Sequence, residues 1–145
     1  MNHTLEDVTP HPELWSDSDP VRPELGPDFK TAPGRGVYGL RGDDGAWKAF
    51  LCYARTTCVP SSVADLEEHT NPTGNIMIPY TVWSLEKGAG KEIINQVISM
   101  AKKLGDVARV VTLSPLTNMA RRFHLKNNAV ELRMNETTVN FEYKV

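Results

Sequence analysis

Ser114 and His124 are the two side chains of this sequence best suited to chemistry. A β-branched run over residues 110–112 predicts a strand that brings Ser114 to its end, and a short helical segment follows and carries His124. Strand ends beside helices are where α/β enzymes hold their ligands. A serine hydroxyl there can hydrogen-bond an oxyanion, and an imidazole that titrates near neutral pH can deliver a proton.

Both residues also have structural interpretations, which stay open at this level. Ser114, which precedes Pro115, could end the strand and cap the next helix, with Thr117 sharing that role. His124 could be a core histidine packed behind Phe123.

A glycine-containing turn is the second candidate site. Residues 75–85 are predicted to form a strand, and residues 86–91 lead into a helix with apolar positions at helical spacing: Ile93, Ile94, Val97, Ile98, Ala101 and Leu104. The first amides of a helix are unpaired, and Gly88 and Gly90 have no Cβ to keep an anionic pyrophosphate away. Lys87 and Lys91 add positive charge where the helix dipole already favours an anion. A simple turn is the alternative, and the P-loop pattern is absent.

The remaining elements predict a mixed α/β domain. An Asp-Gly turn within residues 41–45 predicts a hairpin between strands at residues 37–40 and 47–52. Residues 59–66 read as a short helix capped by Ser61 or Ser62. Two more strands are expected near the end of the chain, at residues 129–134 and 137–143.

Residues 1–35 differ in composition from the rest. They hold six prolines and few apolar anchors, so we expect an arm without a strand or a long helix. We expect this arm either to lie over the core through Trp15 and Phe29 or to dock on a partner. The expected organisation is a proline-rich arm, residues 1–35, followed by one domain, residues 36–145.

Composition excludes several classes of function. A formal net charge of −2 argues against a general nucleic-acid binder. The sequence contains no apolar run of about 20 residues, and its first residues lack the features of a signal peptide, so we expect a cytoplasmic protein without membrane contact.

Cysteine and histidine spacing argues against covalent cross-links and metals. If the chain between Cys52 and Cys58 is extended, their Cα atoms lie about 20 Å apart, whereas a disulfide requires Cα atoms within about 7 Å. Both cysteines are therefore expected to be buried free thiols. His3, His11 and His69 have no second ligand at a usable spacing, so no metal site is predicted.

The order of elements over residues 36–145 resembles the GNAT superfamily of acyl-CoA-dependent acyltransferases. Gly88 and Gly90 match the two small positions of its coenzyme A-binding turn, while Leu85 stands where the family has Arg or Gln. Ala120, His124 and Asn128 match the spacing of the family's Ala, Tyr and Gly, which places His124 where the thiolate is protonated. The resemblance implies a mixed, mostly antiparallel sheet flanked by helices. It also implies an acyl-CoA substrate bound by a set of turn and strand residues: Trp83, Ser84, Leu85, Lys87, Gly88, Ala89, Gly90 and Lys91.

A closer resemblance is to the catalytic domain of malonyl-CoA decarboxylase, which has a GNAT-like fold. The motifs at residues 112–116 (Thr-Leu-Ser-Pro-Leu) and 123–129 (Phe-His-Leu-Lys-Asn-Asn-Ala) are similar to two motifs of that domain. The resemblance puts Ser114 and His124 in the roles of a catalytic pair, with Tyr143 as a further candidate. Asn128 replaces a Gly, and the insertion between the two motifs is absent, which implies a more open site with room for a second substrate.

Three functions follow from these residues. The leading hypothesis is acyl-CoA-dependent acyl transfer, with acetyl transfer to an amine favoured and the acceptor unidentified. The alternatives are a decarboxylase-like lyase that releases acetyl-CoA and carbon dioxide, and a non-catalytic module that binds through its arm. The presence of both Ser114 and His124 argues against the third. A homodimer, or a contact between the arm and another protein, is left open.

Overall fold

One mixed sheet forms the centre of the protein. The computed structural model describes residues 3–145. Its strands are β1 (Thr4–Asp7), β2 (Arg35–Arg41), β3 (Trp47–Thr56), β4 (Ile76–Ser84), β5 (Arg109–Val111), β6 (Ser114–Pro115), β7 (Val130–Met134) and β8 (Thr138–Tyr143). Its helices are α1 (Pro27–Lys30), α2 (Val63–His69), α3 (Ala89–Leu104) and α4 (Asn118–Lys126), and a 3-10 turn covers Pro12–Leu14.

The sheet order is β1-β2-β3-β4-β5-β8-β6, and β7 pairs with β8. Within the described residues β4 and β5 are parallel, and the other pairs are antiparallel. The expected mixed, mostly antiparallel sheet flanked by helices is therefore confirmed. Among the helices of residues 3–145, none is long and apolar enough to cross a membrane.

The locally encoded elements lie where the sequence predicts them. Gly45 has a φ of 82° in the β2–β3 hairpin turn, a conformation that glycine adopts without strain. Ser62, one of the two predicted caps, accepts a hydrogen bond from the backbone of Asp65 at 3.1 Å and starts α2. Cys52 and Cys58 are both free, but only Cys52 is buried, because Cys58 lies beyond the end of β3 and is half-buried.

The N-terminal strand corrects the expectation that residues 1–35 form no part of a sheet. β1 pairs with β2, with Leu5 opposite Leu40. Prolines begin only at Pro10, so every residue of β1 keeps the N–H that the ladder needs.

Beyond β1, the N-terminal segment covers one face of the sheet. Trp15 is buried in the core of that face, and its Nε1 donates to the carbonyl of Val8 at 2.9 Å. Phe29 packs edge-on against Tyr80 at 5.8 Å between ring centroids. Helix α3 packs on the other face, where it buries the apolar stripe that its sequence predicts. Of the two placements expected for the arm, the structure shows the one over the core.

β4 and β5 run side by side only briefly and then diverge. They pair at Ile76 and Met77 of β4. The last backbone hydrogen bond between the two chain segments runs from the N–H of Leu113, just after β5, to the carbonyl of Pro79 at 3.1 Å. A bulge shifts the register at this point, because Cys52 faces Thr81 while the next residue of β3 faces Pro79. Beyond it, β4 continues along β3, whereas the chain after Leu113 stays paired with β8, as β5 is, and leaves β4. A split is therefore left in the sheet.

Candidate active site

A cavity of about 320 Å³ occupies the split between β4 and β5. Gly90 and Phe123 line it from the helices on one face, while Pro20 and Val21 line it from the N-terminal segment on the other face. The cavity thus connects the two faces of the sheet. The remaining lining residues are Pro79, Tyr80, Thr81, Val82, Trp83, Ser84, Ser114, Pro115, Thr117, Met119, Ala120 and His124.

Ser114 presents its hydroxyl at the point where the strands separate. It begins β6, is 3% exposed, and donates from Oγ to Oγ1 of Thr112 at 2.8 Å. Thr112 Oγ1 also accepts the Phe141 N–H at 3.0 Å, which fixes the position of that acceptor. The cap of α4 is Thr117, whose side chain accepts from the backbone of Ala120 at 3.1 Å. The alternative in which Ser114 caps this helix is therefore wrong, because its hydroxyl is directed to Thr112.

His124 lies on α4 and lines the same cavity. It is 6% exposed, its Nδ1 is 2.6 Å from the hydroxyl of Tyr143, and its ring stacks on Phe141. Burial lowers the pKa of His124 to about 4, because the charged imidazolium is poorly solvated there. The expectation that this imidazole titrates near neutral pH is wrong. At pH 7 the ring is neutral, so it has no imidazolium proton to deliver.

Tyr143 fixes the orientation of the His124 ring. Burial raises the pKa of Tyr143, so its phenol stays protonated. Within residues 3–145 its hydroxyl hydrogen-bonds only His124, so donation to Nδ1 is the arrangement that satisfies its proton. This network assigns the ring proton to Nε2, the nitrogen left free for a ligand. Tyr143 is not among the described residues that line the cavity.

Ser114 and His124 therefore share a cavity but do not hydrogen-bond each other in the described structure. Ser114 is bound to Thr112 and His124 to Tyr143. Such an arrangement differs from a nucleophile activated by an adjacent base, where the two side chains lie within hydrogen-bond reach. It offers two neutral hydrogen-bonding groups to a ligand, since the serine hydroxyl can rotate towards the cavity.

The glycine turn begins α3 as predicted, but its two glycines have different roles. Gly88 adopts a φ of 86° as the cap residue and is exposed. Gly90 is buried, and a Cβ there would lie 3.3 Å from the ring of Phe123. Gly90 thus allows α4 to pack close to α3. The expectation that a missing Cβ leaves room for a pyrophosphate is wrong for Gly90, because Phe123 lies on the side where that Cβ would project.

The backbone of the turn still offers free donors. The Ala89 N–H is bonded to the Glu86 carbonyl at 3.1 Å, whereas the N–H groups of Gly90 and Lys91 have no backbone partner within the described residues. Lys87 and Lys91 are exposed beside them. Of the predicted coenzyme A residues, Trp83, Ser84 and Gly90 line the cavity, and the others lie on the turn outside it: Leu85, Lys87, Gly88, Ala89 and Lys91.

A group of possible cation ligands lies on α2, at a distance in sequence from these residues. Donor atoms of Asp65, Glu68 and His69 lie within 4.8 Å of one another, so His69 does have neighbouring ligands, contrary to expectation. The three residues are three or four positions apart or adjacent, so one turn of α2 brings them together, and the search for a second ligand in the sequence missed this spacing. Asp65 also accepts the Ser61 N–H at 2.8 Å.

A buried charge cluster beside the cavity was missed by sequence reasoning. Lys30 donates to Asp19 at 2.7 Å, and both side chains are at most 2% exposed. Arg22 donates to the carbonyls of Tyr80 at 3.3 Å and Leu113 at 2.9 Å, so its guanidinium bridges the two strands of the split. Charged residues in a proline-rich segment usually remain solvated, and no local pattern marks these three as buried.

Comparisons with known proteins agree with this architecture. No protein-family model matches the sequence, and a search of curated proteins finds no match. Among solved structures, malonyl-CoA decarboxylase from Rhodopseudomonas palustris is 17% identical with a TM-score of 0.73, and the match covers 99% of this chain and 60% of that one. The chain thus spans about three fifths of that relative.

Two acetyltransferase structures are also similar. An aminoglycoside acetyltransferase in complex with coenzyme A and kanamycin is 14% identical with a TM-score of 0.67, covering 99% of this chain and 95% of that one. The GNAT domain of S. lividans PAT is 12% identical with a TM-score of 0.54, covering 78% of this chain and 62% of that one. The fold of the protein is therefore that of the GNAT superfamily.

Proposed function

We propose that the protein is an acyl-CoA-dependent acyltransferase that transfers a small acyl group, with acetyl favoured, to an amine. The observation that carries this proposal is the split between β4 and β5. It leaves the edge of β4 from Tyr80 to Ser84 without a strand partner and places Ser114 and His124 in the cavity beside that edge.

The start of α3 supports binding of coenzyme A. Free N–H groups at Gly90 and Lys91 lie at the positive end of a 16-residue helix, and the charges of Lys87 and Lys91 add to it. A pyrophosphate at this position would direct the pantetheine arm past Ser84 into the cavity. The similar aminoglycoside acetyltransferase is in complex with coenzyme A and kanamycin.

The cavity provides groups for each part of acyl transfer. Unpaired N–H groups on the edge of β4 can hydrogen-bond the thioester carbonyl, as oxyanion donors do in acyl transfer. The amine nitrogen bonds to the carbonyl carbon, the C–S bond breaks, and the proton that the nitrogen loses ends on the sulfur, so coenzyme A leaves as the thiol. Because His124 is neutral, its Nε2–H stabilises the thiolate by a hydrogen bond until that proton arrives. Thr117 and Met119, both exposed, mark the side by which an acceptor reaches the cavity.

Decarboxylation of a malonyl thioester is the second candidate, and a specific observation favours it. No carboxylate lines the cavity within the described residues, so nothing there attracts a cationic amine. Two neutral donors, Ser114 and His124, suit the enolate that forms when the C–C bond to the carboxylate breaks. A neutral histidine stabilises an enediolate in this way in triosephosphate isomerase. The resemblance of the two sequence motifs to malonyl-CoA decarboxylase supports the same chemistry.

One pair of assays distinguishes the two reactions. The protein is incubated with malonyl-CoA and no amine, and separately with acetyl-CoA and a panel of amines. Acyl transfer predicts loss of the thioester only when an amine is present. Release of acetyl-CoA and carbon dioxide from malonyl-CoA alone would establish the second candidate and contradict the first. Failure of both reactions, together with no binding of either thioester, would contradict an acyl-CoA enzyme altogether.

A further inference from the structure

We infer that residues 19–22 form the specificity-determining wall of the cavity, and that Val21 restricts the acyl group to a short chain such as acetyl or propionyl. This inference rests on the proposed binding of acyl-CoA and specifies which acyl-CoA is taken. It concerns the N-terminal segment, which contributes no residue to the chemistry described above.

The position of Val21 puts it opposite the entrance for coenzyme A. Gly90 and Phe123 line the cavity near the start of α3, where the free amides lie. Pro20 and Val21 line it on the other face of the sheet, where the N-terminal segment packs. A thioester that enters from α3 and passes Ser114 therefore directs its acyl chain towards Pro20 and Val21.

The backbone around Val21 is held firmly in place by Asp19. One carboxylate oxygen of Asp19 accepts the N–H groups of Val21 at 2.8 Å and Arg22 at 3.0 Å. The same carboxylate accepts the Thr81 hydroxyl at 3.0 Å and pairs with Lys30 at 2.7 Å. These bonds tie the segment to β4 and α1.

Arg22 ties the same segment to both strands of the split. Its guanidinium donates to the carbonyls of Tyr80 and Leu113, which lie on either side of the point where the strands separate. A wall attached on both sides cannot move away to admit a longer chain. A buried polar network whose hydrogen-bonding groups are all paired makes the structure around it rigid.

The lining and the volume of the cavity indicate a short, uncharged acyl group. Pro20, Val21 and Trp83 present apolar surface, and no charged side chain lines the cavity within the described residues. A volume of about 320 Å³ is near the lower end for ligand pockets, and it must also hold the thiol end of pantetheine. Little space remains for a chain beyond the first carbons.

The test measures affinity for acetyl-, butyryl- and hexanoyl-CoA by calorimetry in wild type and three variants. Each methylene that gains an apolar site is worth about fourfold in affinity, from about 0.8 kcal/mol per CH₂. Val21→Ala should raise the ratio of hexanoyl to acetyl affinity about tenfold, and Val21→Phe should lower it. Leu25→Ala is the matched control, because Leu25 packs on the same core but does not line the cavity.

Three outcomes separate the inference from the function on which it rests. A changed ratio in both Val21 variants and an unchanged ratio in Leu25→Ala supports the inference. Binding of acyl-CoA with the same ratio in wild type and both Val21 variants overturns the inference alone, as does an equal shift in Leu25→Ala. If wild type binds no acyl-CoA, the proposed function fails and the inference fails with it. Circular dichroism of each variant confirms that it is folded.

Discussion

At the residue scale, burial determines what His124 can do. Its position in the sequence predicts a proton donor, but the surrounding side chains keep the ring neutral and Tyr143 takes one of its nitrogens. What remains is the Nε2–H of a ring that lines the cavity. In the function proposed above, His124 therefore acts by hydrogen bonding and not as an imidazolium.

The lowered pKa of His124 makes folding stability dependent on pH. Between pH 6.5 and about 4 the unfolded chain binds a proton that the folded protein does not, so the free energy of unfolding decreases as pH falls through this window. The decrease amounts to roughly 3 kcal/mol and is absent above pH 6.5. Urea denaturation across this range should show it in wild type and not in His124→Gln. The exposed His11→Gln serves as the matched substitution, and an identical pH dependence in His124→Gln would contradict the assignment.

Replacement of Ser114 separates the two candidate reactions. If the protein is a decarboxylase, Ser114→Ala removes a donor to the enolate and should cost about 3 kcal/mol in kcat/KM, roughly a hundredfold. If it is an acyltransferase, the carbonyl is held mainly by backbone N–H groups of β4, and the loss should be far smaller. Steady-state kinetics on whichever thioester is consumed provides the measurement. A hundredfold loss in amine-dependent acyl transfer would contradict the expectation that the β4 backbone holds the carbonyl.

At the element scale, the start of α3 is the part of the site that a single exposed side chain can test. Lys91 lies in the first turn of the helix, where a glutamate interacts favourably with the helix dipole. Lys91→Glu should therefore fold at least as stably as wild type and yet weaken coenzyme A binding, because it repels the pyrophosphate. Calorimetry measures the affinity and thermal unfolding measures the stability. Lys144→Glu makes the same charge change at another exposed position, and equal affinity in both variants would remove the turn from the site.

The elements that could be predicted from the sequence are those encoded locally. Apolar spacing defines α3, the Asp-Gly turn defines the hairpin, and Ser62 caps α2, so each lies where expected. The contacts that shape the site come from residues far apart in the chain. Phe123 covers Gly90, and Arg22 reaches Leu113 across 91 positions. No periodicity or motif encodes such pairs, so the sequence indicates that Ser114 and His124 lie near each other but not which side chains hold them in place.

At the scale of the whole molecule, the N-terminal segment is part of the structure that supports the site. Lys30 and Asp19 form a buried ion pair within this segment, Asp19 also accepts from Thr81 of β4, and removal of Lys30 leaves the Asp19 carboxylate buried without its ion-pair partner. Lys30→Met should therefore lower the free energy of unfolding by about 3 to 5 kcal/mol. Asp19→Asn combined with Lys30→Met should recover part of the loss, because the uncompensated charge is gone. Chemical denaturation measures both. A loss below about 1 kcal/mol in the single variant would contradict a structural role for the pair.

In the proposed function, acyl-CoA occupies the split between β4 and β5 with its acyl group beside His124 and Ser114. The most direct test is a crystal structure with an unreactive acetyl-CoA analogue in which a methylene group separates sulfur from the carbonyl. We expect the pyrophosphate at the amides of Gly90 and Lys91, and the carbonyl in the cavity within about 3.5 Å of His124 or the β4 edge. An analogue bound elsewhere on the protein, or with its carbonyl outside the split, would contradict this binding mode.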